Sequence, residues 1–474
     1  TEKILIRAQS DIFQFFSSLL KYSCFSLPLQ IFVKIMPKQR CLIIADDLTG
    51  GADTGAQFAK RGLSTLLISL TGRRRIDFTK YLKRDVLVIN TISRGLSPDK
   101  AFDVVSGSLK KYEERDFPII YKKIDSTLRG NIGYEIDAIL KETNIPFCFM
   151  APSYPEQKRA LVGDIMMVGE RPLSLTEVAH DSTSPVRESH VSKLLRSQSR
   201  HNIGRIDLTY VASGRERLLK AVKGEQRRGE KIIILDAFSR QDLTHIADVA
   251  FCMDKIPLFV GSAGLAEEVA KKLSPELKER ASSKKESTKT FKHILLVSGS
   301  ASEVTHQQLE RVERRKIPTF QLNKSMFTSD VAKTQTIEKE LSSRVATSLN
   351  RRHVILKTCS ERIQTEGSKG LPIHLKITKT LASIALSALN ESSVSARDLA
   401  LILTGGDTAL GVLDLFRPEG VEIEGELLEG MMRGRLIGGA WDGLTIVTKA
   451  GGFGKEDALE KIMVILETGD LPRR

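Results

Sequence analysis

Cysteine is scarce in this chain of 474 residues, and its five copies are scattered: Cys24, Cys41, Cys148, Cys252 and Cys359 form no C-x-x-C pair and no Cys/His cluster at zinc-ligand spacing. A disulfide framework and a structural zinc are set aside, and free thiols in a reducing, cytoplasmic setting are the expectation. The eight histidines include no H-E-x-x-H, so isolated ones such as His180 and His293 read as surface or packing residues. Aromatic residues make up 6% of the chain and Trp441 is the only tryptophan, so its basic residues lack the aromatic interleaving of RNA-binding modules. No nucleic-acid partner is expected. Several catalytic signatures are missing too: no G-x-x-x-x-G-K-[ST], no G-x-G-x-x-G after a strand, no H-R-D and no G-x-S-x-G. P-loop enzymes, dinucleotide-binding enzymes, protein kinases and α/β-hydrolases are thereby excluded.

Long hydrophobic runs are absent as well. The most apolar stretch, residues 13–33, is interrupted by Lys21 and Pro28, a poor membrane-spanning helix, so no membrane partner is expected. Glu2 and Asp11 spoil the basic start of a signal peptide, and no A-x-A-like cleavage site follows. Met36 stands directly before a strand-like run, so residues 1–35 are expected to lie upstream of a true start at Met36 or to form a disordered extension.

What is present is ordinary globular material, 41% hydrophobic and 27% charged. At about 150 residues per domain it suffices for two or three domains. The net charge of +14 suits an anionic partner, whether phosphate, carboxylate or nucleic acid. From Met36 onward, β-branched runs at 41–45, 64–68, 85–89, 118–124, 146–150 and 231–235 are interspersed with helix-like segments, among them 53–60, 98–113 and 131–142. Runs at 294–298, 353–357, 399–403 and 444–448 resume the pattern. Uniformly apolar strands separated by helices predict an α/β fold, mostly parallel sheets flanked by helices. The polar stretch 281–290 reads as a linker between an N-terminal domain at 36–280 and a C-terminal domain at 291–474. Ligands of such sheets gather at the carboxyl ends of strands.

Four strand-to-loop junctions stand out there. ADDLTGGADTG (45–55) sets Asp46 and Asp47 beside exposed amides, able to hold a polyol and an anion; alternatively one Asp caps the next helix and the glycines only permit the turn. KKIDSTLRGN (122–131) brackets Asp125, Ser126 and Thr127 with Lys122, Lys123 and Arg129, which suits a hydroxylated anion, against solvated lysines and a capping Asp or Ser. LTGGDTAL (403–410) runs a strand into Gly405, Gly406, Asp407 and Thr408, where amides can approach a phosphate; Asp407 either caps the helix or orients Mg²⁺ or a ribose hydroxyl. TKAGGFGK (448–455) is again a strand followed by glycines. Two glycine loops in one domain favour nucleotide binding.

These motifs, with SRG (93–95), the segment from Ala151 through Pro152 and Pro155 to Arg159, GSAGLA (261–266) and VSGSAS (297–302), occur in the order of the four-carbon acid sugar kinase family, which the chain resembles from about Met36 to Gly469. The resemblance implies an ATP-dependent kinase acting on the terminal hydroxyl of a four-carbon sugar acid such as threonate, erythronate or 3-oxo-tetronate. The acid would lie on the N-terminal domain, the nucleotide on the C-terminal one, and the reaction in the cleft between them. Asp46, Asp47, Arg94, Lys123, Asp125, Ser126 and Arg129 resemble the family's substrate-side positions. Ser298, Gly405, Gly406, Asp407, Thr408, Gly451 and Gly452 resemble its nucleotide side. Lys158-Arg159 replaces a frequent Gly-Arg pair and Ala450 a frequent serine, which puts a turn conformation and one hydroxyl contact in doubt.

Phosphoryl transfer requires positioning and charge neutralisation, so glycine amides, Mg²⁺ and Lys/Arg are suitable parts. Arg129, Lys123 and Arg94 are expected to grip the acid, with Asp47 as the first candidate base and Asp125 the second. Closure around the linker is expected to exclude water. A non-catalytic sugar-acid sensor would need no paired glycine loops, and another small hydroxy acid would serve the same machinery. A dehydrogenase would need the missing dinucleotide fingerprint, while an aldolase's Schiff-base lysine leaves no sequence signature. The pattern leaves room for a homo-oligomer without specifying one.

Overall fold

The computed structural model describes residues 41–70, 77–110, 112–113, 117–181, 184–274, 289–300, 302–323, 331–358 and 373–470. The expectations for residues 1–35 and Met36, and most of the 281–290 stretch, lie outside the described residues. Within them, the apolar runs become strands: β1 (Cys41–Ala45), β2 (Thr65–Ser69), β3 (Val86–Asn90), β4 (Ile119–Lys123) and β5 (Cys148–Ala151). Next come β6 (Arg159–Val162), β7 (Ile165–Val168), β8 (Arg171–Pro172), β9 (Ile203–Ile206), β10 (Ile232–Leu235) and β11 (Leu258–Gly261). The C-terminal half adds β12 (His293–Ser298), β13 (Thr319–Leu322), β14 (Val354–Thr358), β15 (Leu399–Thr404), β16 (Gly420–Leu428), β17 (Met431–Ile437) and β18 (Thr445–Lys449). β1, β3 and β4 are buried at every residue, because helices cover both faces of a parallel sheet.

The two α/β halves share a single 15-stranded sheet in the order β13-β14-β12-β15-β18-β17-β16-β2-β3-β1-β4-β11-β5-β10-β9. β6, β7 and β8 form a separate antiparallel sheet. The junction is a short antiparallel ladder pairing Val421 with Leu67, Glu422 with Leu66 and Ile423 with Thr65. Neither this hairpin nor the small sheet was foreseen from the sequence. One hydrophobic core runs through the junction, from Ile43, Leu67 and Val88 to Ile423, Leu436 and Ile446. The closure expected around the linker must therefore work against this ladder, a second connection between the halves.

Three of the six ladder steps from β1 to β15 are antiparallel, so the two strands run in opposite senses. In a flat sheet their carboxyl ends would lie on opposite edges. At about 20–25° of twist per step, six steps accumulate roughly 120–150°, which turns the two carboxyl ends back toward one another. Bulges in the β16–β17 hairpin, between Ile423 and Gly425 and between Glu426 and Leu428, add to the twist.

Helix α1 (Leu48–Ala59) lies at this junction, starting five residues before the expected 53–60 because Asp47 caps it. A Cβ on Gly55 would stand 2.5 Å from Ile423 Cδ1, 3.1 Å from Val88 Cγ2 and 3.2 Å from Thr65 Cγ2, so glycine lets the helix rest on β16, β3 and β2 together. Gly55→Val should cost about 1–3 kcal/mol by overpacking. A lowered urea midpoint checks this, and an unchanged midpoint would show that the contact is slack.

Candidate active site

Each half of the sheet ends in a cluster of polar loops. On the N-terminal side, Asp46 closes β1, and Arg94, in the loop after β3, grips it with Nε on Oδ2 at 2.8 Å and Nη2 on Oδ1 at 3.0 Å. Arg94 Nη2 also donates to Asp47 Oδ1 at 2.6 Å. Asp47 caps α1 by accepting from the Gly50 amide at 3.2 Å, and the Thr49 hydroxyl donates to its second oxygen at 2.7 Å. Asp47 is thus at once the helix cap and an acceptor from Arg94. Gly50 and Gly51 lie inside the helix rather than in a loop, and a Cβ on Gly50 would stand 2.8 Å from Lys123 Nζ. Gly130, at φ +100°, leaves room for Asp46, whose Oδ2 would be 3.1 Å from a Cβ there.

Lys123 and Asp125 follow from the end of β4. Asp125 accepts from Arg129 Nε at 2.7 Å and from the Thr127 hydroxyl, while Arg129 Nη1 reaches Asp181 at 3.1 Å. Ser126 accepts a hydrogen bond from Arg159. Lys122 points the other way, into a buried ion pair with Glu135 at 2.5 Å, and Glu135 also accepts from Ser93 at 2.7 Å. Among the described residues, Lys123 and Arg159 have no carboxylate within ion-pair distance, whereas Arg94, Lys122 and Arg129 are committed. Burial would raise the Asp47 carboxyl, but the Arg94 and Lys123 cations and the Thr49 hydroxyl outweigh it and hold it below its usual range. Asp125 is held lower still, burial being overcome by Arg129 and Arg94. Beside Arg94 opens a pocket of about 560 Å³ that Gly130, Asn131, Ser184 and Arg187 help to line.

On the C-terminal side, helix α2 (Gly406–Phe416) begins at Gly405, at φ +101°, with no side-chain cap. Asp407 is therefore not the cap; it sits exposed in the first turn. The Gly299 amide, just past Ser298 at the end of β12, donates to Thr408 Oγ1 at 3.2 Å, and the Gly405 amide donates to the Lys449 carbonyl at 2.9 Å. Thr305 and Lys449 both donate to the Gly451 carbonyl, at 2.7 and 3.0 Å. Gly452 has open space where a Cβ would be. The nucleotide-side residues named from sequence thus occupy one connected set of loops. Unclaimed amides at an uncapped helix start, beside a glycine facing open space, fit a nucleotide phosphate chain. Among the described residues no three His, Cys, Asp or Glu side chains gather as a metal cage. The single carboxylate of Asp407 fits a Mg²⁺ ion held chiefly by phosphates.

The two clusters meet. A Cβ on Gly406 would stand 3.5 Å from Thr49 Oγ1. Gln157 donates to Glu429 at 2.6 Å, and the Arg159 guanidinium lies 5.7 Å from the Phe453 ring centroid. Sequence reasoning missed Arg159, Phe453, Lys449 and Asp53 as site residues. Burial lifts the Asp53 carboxyl to about 7, with Lys123 opposing and Glu426 of the hairpin adding to the rise. Its helical spacing from Thr49, four residues, was the signal available.

An N-terminal half that gathers carboxylates and cations at its strand ends, joined to a C-terminal half with glycine loops at an uncapped helix start, has the layout of a two-part phosphotransferase. Residues 41–269 match the family model of a sugar-binding N-terminal domain, and residues 295–459 that of a nucleotide-binding C-terminal domain. The chain belongs to the four-carbon acid sugar kinase family. A D-threonate kinase of Salmonella typhimurium is 30% identical over 90% of this chain and 98% of its own. A D-erythronate kinase of Heliobacterium modesticaldum is 29% identical over 88% of this chain and 94% of its own. The crystal structure of Haemophilus influenzae protein HI1011, 23% identical, has the same fold at a TM-score of 0.67, covering 90% of this chain and 100% of that one. No helix among the described residues is long and apolar enough to cross a membrane.

Lys449 holds the last glycine loop with an ammonium bonded to Thr305 Oγ1 and the Ala450 and Gly451 carbonyls, and burial pulls it from 10.5 down to about 8. Below pH 8 it is charged in folded and unfolded chains alike, and its burial cost is felt in full. From about 8 to 10.5 only the unfolded chain still binds the proton, so this group's contribution to stability rises with pH. Urea midpoints should show the wild type gaining on Lys449→Met across that interval; parallel curves would contradict a buried charge.

Proposed function

We propose that the protein transfers the γ-phosphoryl group of ATP to the terminal hydroxyl of a four-carbon sugar acid, threonate, erythronate or 3-oxo-tetronate, in a cleft between its two halves. The observation that carries this reading is the approach of Gly406, in the uncapped turn, to Thr49, the residue that braces Asp47. A phosphate chain at the first site and a hydroxyl at the second would be within reach of each other.

Lys123, unpaired, is the natural partner of the acid's carboxylate, with the outer donors of Arg94 and Arg129 and the Ser126 hydroxyl, beside Asp46, orienting the rest of the molecule. Asp47 accepts the proton of the attacking hydroxyl. Asp125 is the weaker candidate, since Arg129 and Thr127 already engage it and it lies in the turn that does not touch Gly406. The cations that keep Asp47 ionised do not disqualify it, because in a loose phosphoryl-transfer transition state positioning counts for more than base strength. The Gly406 amide holds the phosphates, since that of Gly405 is committed to the Lys449 carbonyl; Thr408 braces the loop after Ser298 by accepting from the Gly299 amide, and Gly451 and Gly452 lie over the nucleoside. Asp407 would hold Mg²⁺, which when bound neutralises phosphate charge.

ADP release measured with each of the three acids tests the activity; release with none of them would refute it. Asp47→Asn should lower kcat by about 10²–10⁴ while leaving the KM for the acid close to wild type. An unchanged kcat would remove Asp47 from this role. Gly452→Val fills only open space, so it should raise the KM for ATP by about tenfold, on the order of 1.4 kcal/mol, at an unchanged Tm. Equal losses for both ligands would point to misfolding instead.

A further inference from the structure

Arg159 begins β6, directly after Lys158, whose left-handed φ of 53° closes the turn from Pro155. Paired backbone bonds fix its position: the Tyr154 amide donates to the Arg159 carbonyl at 2.8 Å, and the Arg159 amide returns one to Tyr154 at 3.1 Å. From this rigid base the side chain reaches both clusters. One end donates to Ser126 Oγ in the turn after β4, and the guanidinium carbon lies over the ring of Phe453 in the last glycine loop. Nε is buried and has no hydrogen-bond partner, although no buried donor is cheap to leave unpaired.

We infer that Arg159 is the charge-neutralising side chain for the transferred phosphoryl group, an inference that rests on the kinase reading above. The acid's hydroxyl oxygen forms a bond to the γ-phosphorus as the bond from that phosphorus to the β,γ-bridging oxygen breaks. ADP leaves with the electron pair, and the hydroxyl proton passes to Asp47. Negative charge gathers on the γ-phosphoryl oxygens between the two clusters, where a fixed guanidinium is most effective. Nε supplies an unclaimed donor for it, and a planar fork suits phosphoryl oxygens better than an ammonium. Burial weakens the protonated form of Arg159, with the Asp125 charge opposing, which is consistent with a cation awaiting an anion. Lys158, although not a glycine, itself adopts the left-handed conformation this turn requires and so keeps Arg159 in place.

Kinetics of Arg159→Ala, Arg159→Lys and Phe453→Leu, with calorimetric titrations of ATP and of the acid, test the assignment. In Arg159→Ala, kcat should fall by about 10³-fold or more while both ligands still bind, and added guanidinium ion should restore turnover where ammonium does not. Arg159→Lys should remain far below wild type. Phe453→Leu, which removes the ring and keeps the cation, should lose about tenfold in kcat with ATP binding retained. An Arg159→Ala enzyme with wild-type kcat overturns the inference, as does a folded, ligand-binding one that guanidinium leaves inactive. Should Arg159→Ala fail to fold, an unchanged kcat in both other variants overturns it. A wild-type chain inactive on every acid overturns the kinase reading and this role together, whereas an active wild type with an unaffected variant overturns this role alone.

Discussion

The three-residue ladder between β2 and β16 is the constraint on which the site depends. Without it, β2 would present an open sheet edge and the C-terminal half would be free to turn about the linker. With it, the hairpin β16–β17 reverses the strand sense between the halves, and the accumulated twist brings the carboxyl ends of β1 and β15 together. The ladder is secured mainly by packing. Ile423 is buried against Gly55, and the ion pairs Arg84–Glu422 and Lys60–Glu426 that flank it are partly exposed pairs of the kind worth at most about 1 kcal/mol each.

Charge in the N-terminal cluster is divided between two tasks. Arg94 and Arg129 are spent on carboxylates of the same cluster, which fixes the positions of Asp46, Asp47 and Asp125. Among the described residues, Lys123 and Arg159 have no carboxylate at ion-pair distance, and in the proposed reaction they would meet the anions. A site in which every cation were paired would have none left to attract an acid or a triphosphate, and one in which none were would leave the aspartates without partners to hold them. The buried Lys122–Glu135 pair lies beneath, and through Ser93 it steadies the loop that carries Arg94.

The parallel strands were legible in sequence because burial on both faces makes them continuous apolar runs, and all ten expected runs became strands within a residue or two at most boundaries. The hairpin is written less plainly: β16 places Glu422, Glu424 and Glu426 at every second position, the period of a half-exposed strand, but Gly425 interrupts the apolar face between them. The first turn of α1 was obscured by Gly50 and Gly51, poor helix formers that earn their place by close packing. Residues at strand ends, such as Asp46, Lys123 and Gly405, stood out because topology alone assigns that position to ligands. Arg159 and Phe453 lie within motifs that the sequence displays, but their pairing did not stand out, since it is a contact across the chain that no local pattern encodes.

Within each half the loops are tied to one another: Asp46 to Arg94, Asp125 to Arg129, Gly299 to Thr408, Thr305 to Gly451. Across the halves, contacts among the described residues near the site include Arg159 with Phe453, Gln157 with Glu429 and Lys60 with Glu426. Rigid loops on each side, meeting through a small number of side chains, mean that the alignment of two ligands is set by the sheet rather than by the loops themselves. The transfer proposed above would tolerate little misalignment, so a substitution that shifts the ladder or helix α1 would disturb it much as one at the ligand-facing residues would. The tight glycine contacts of α1 then have the same physical origin as the chemistry, a fixed distance between β1 and β15.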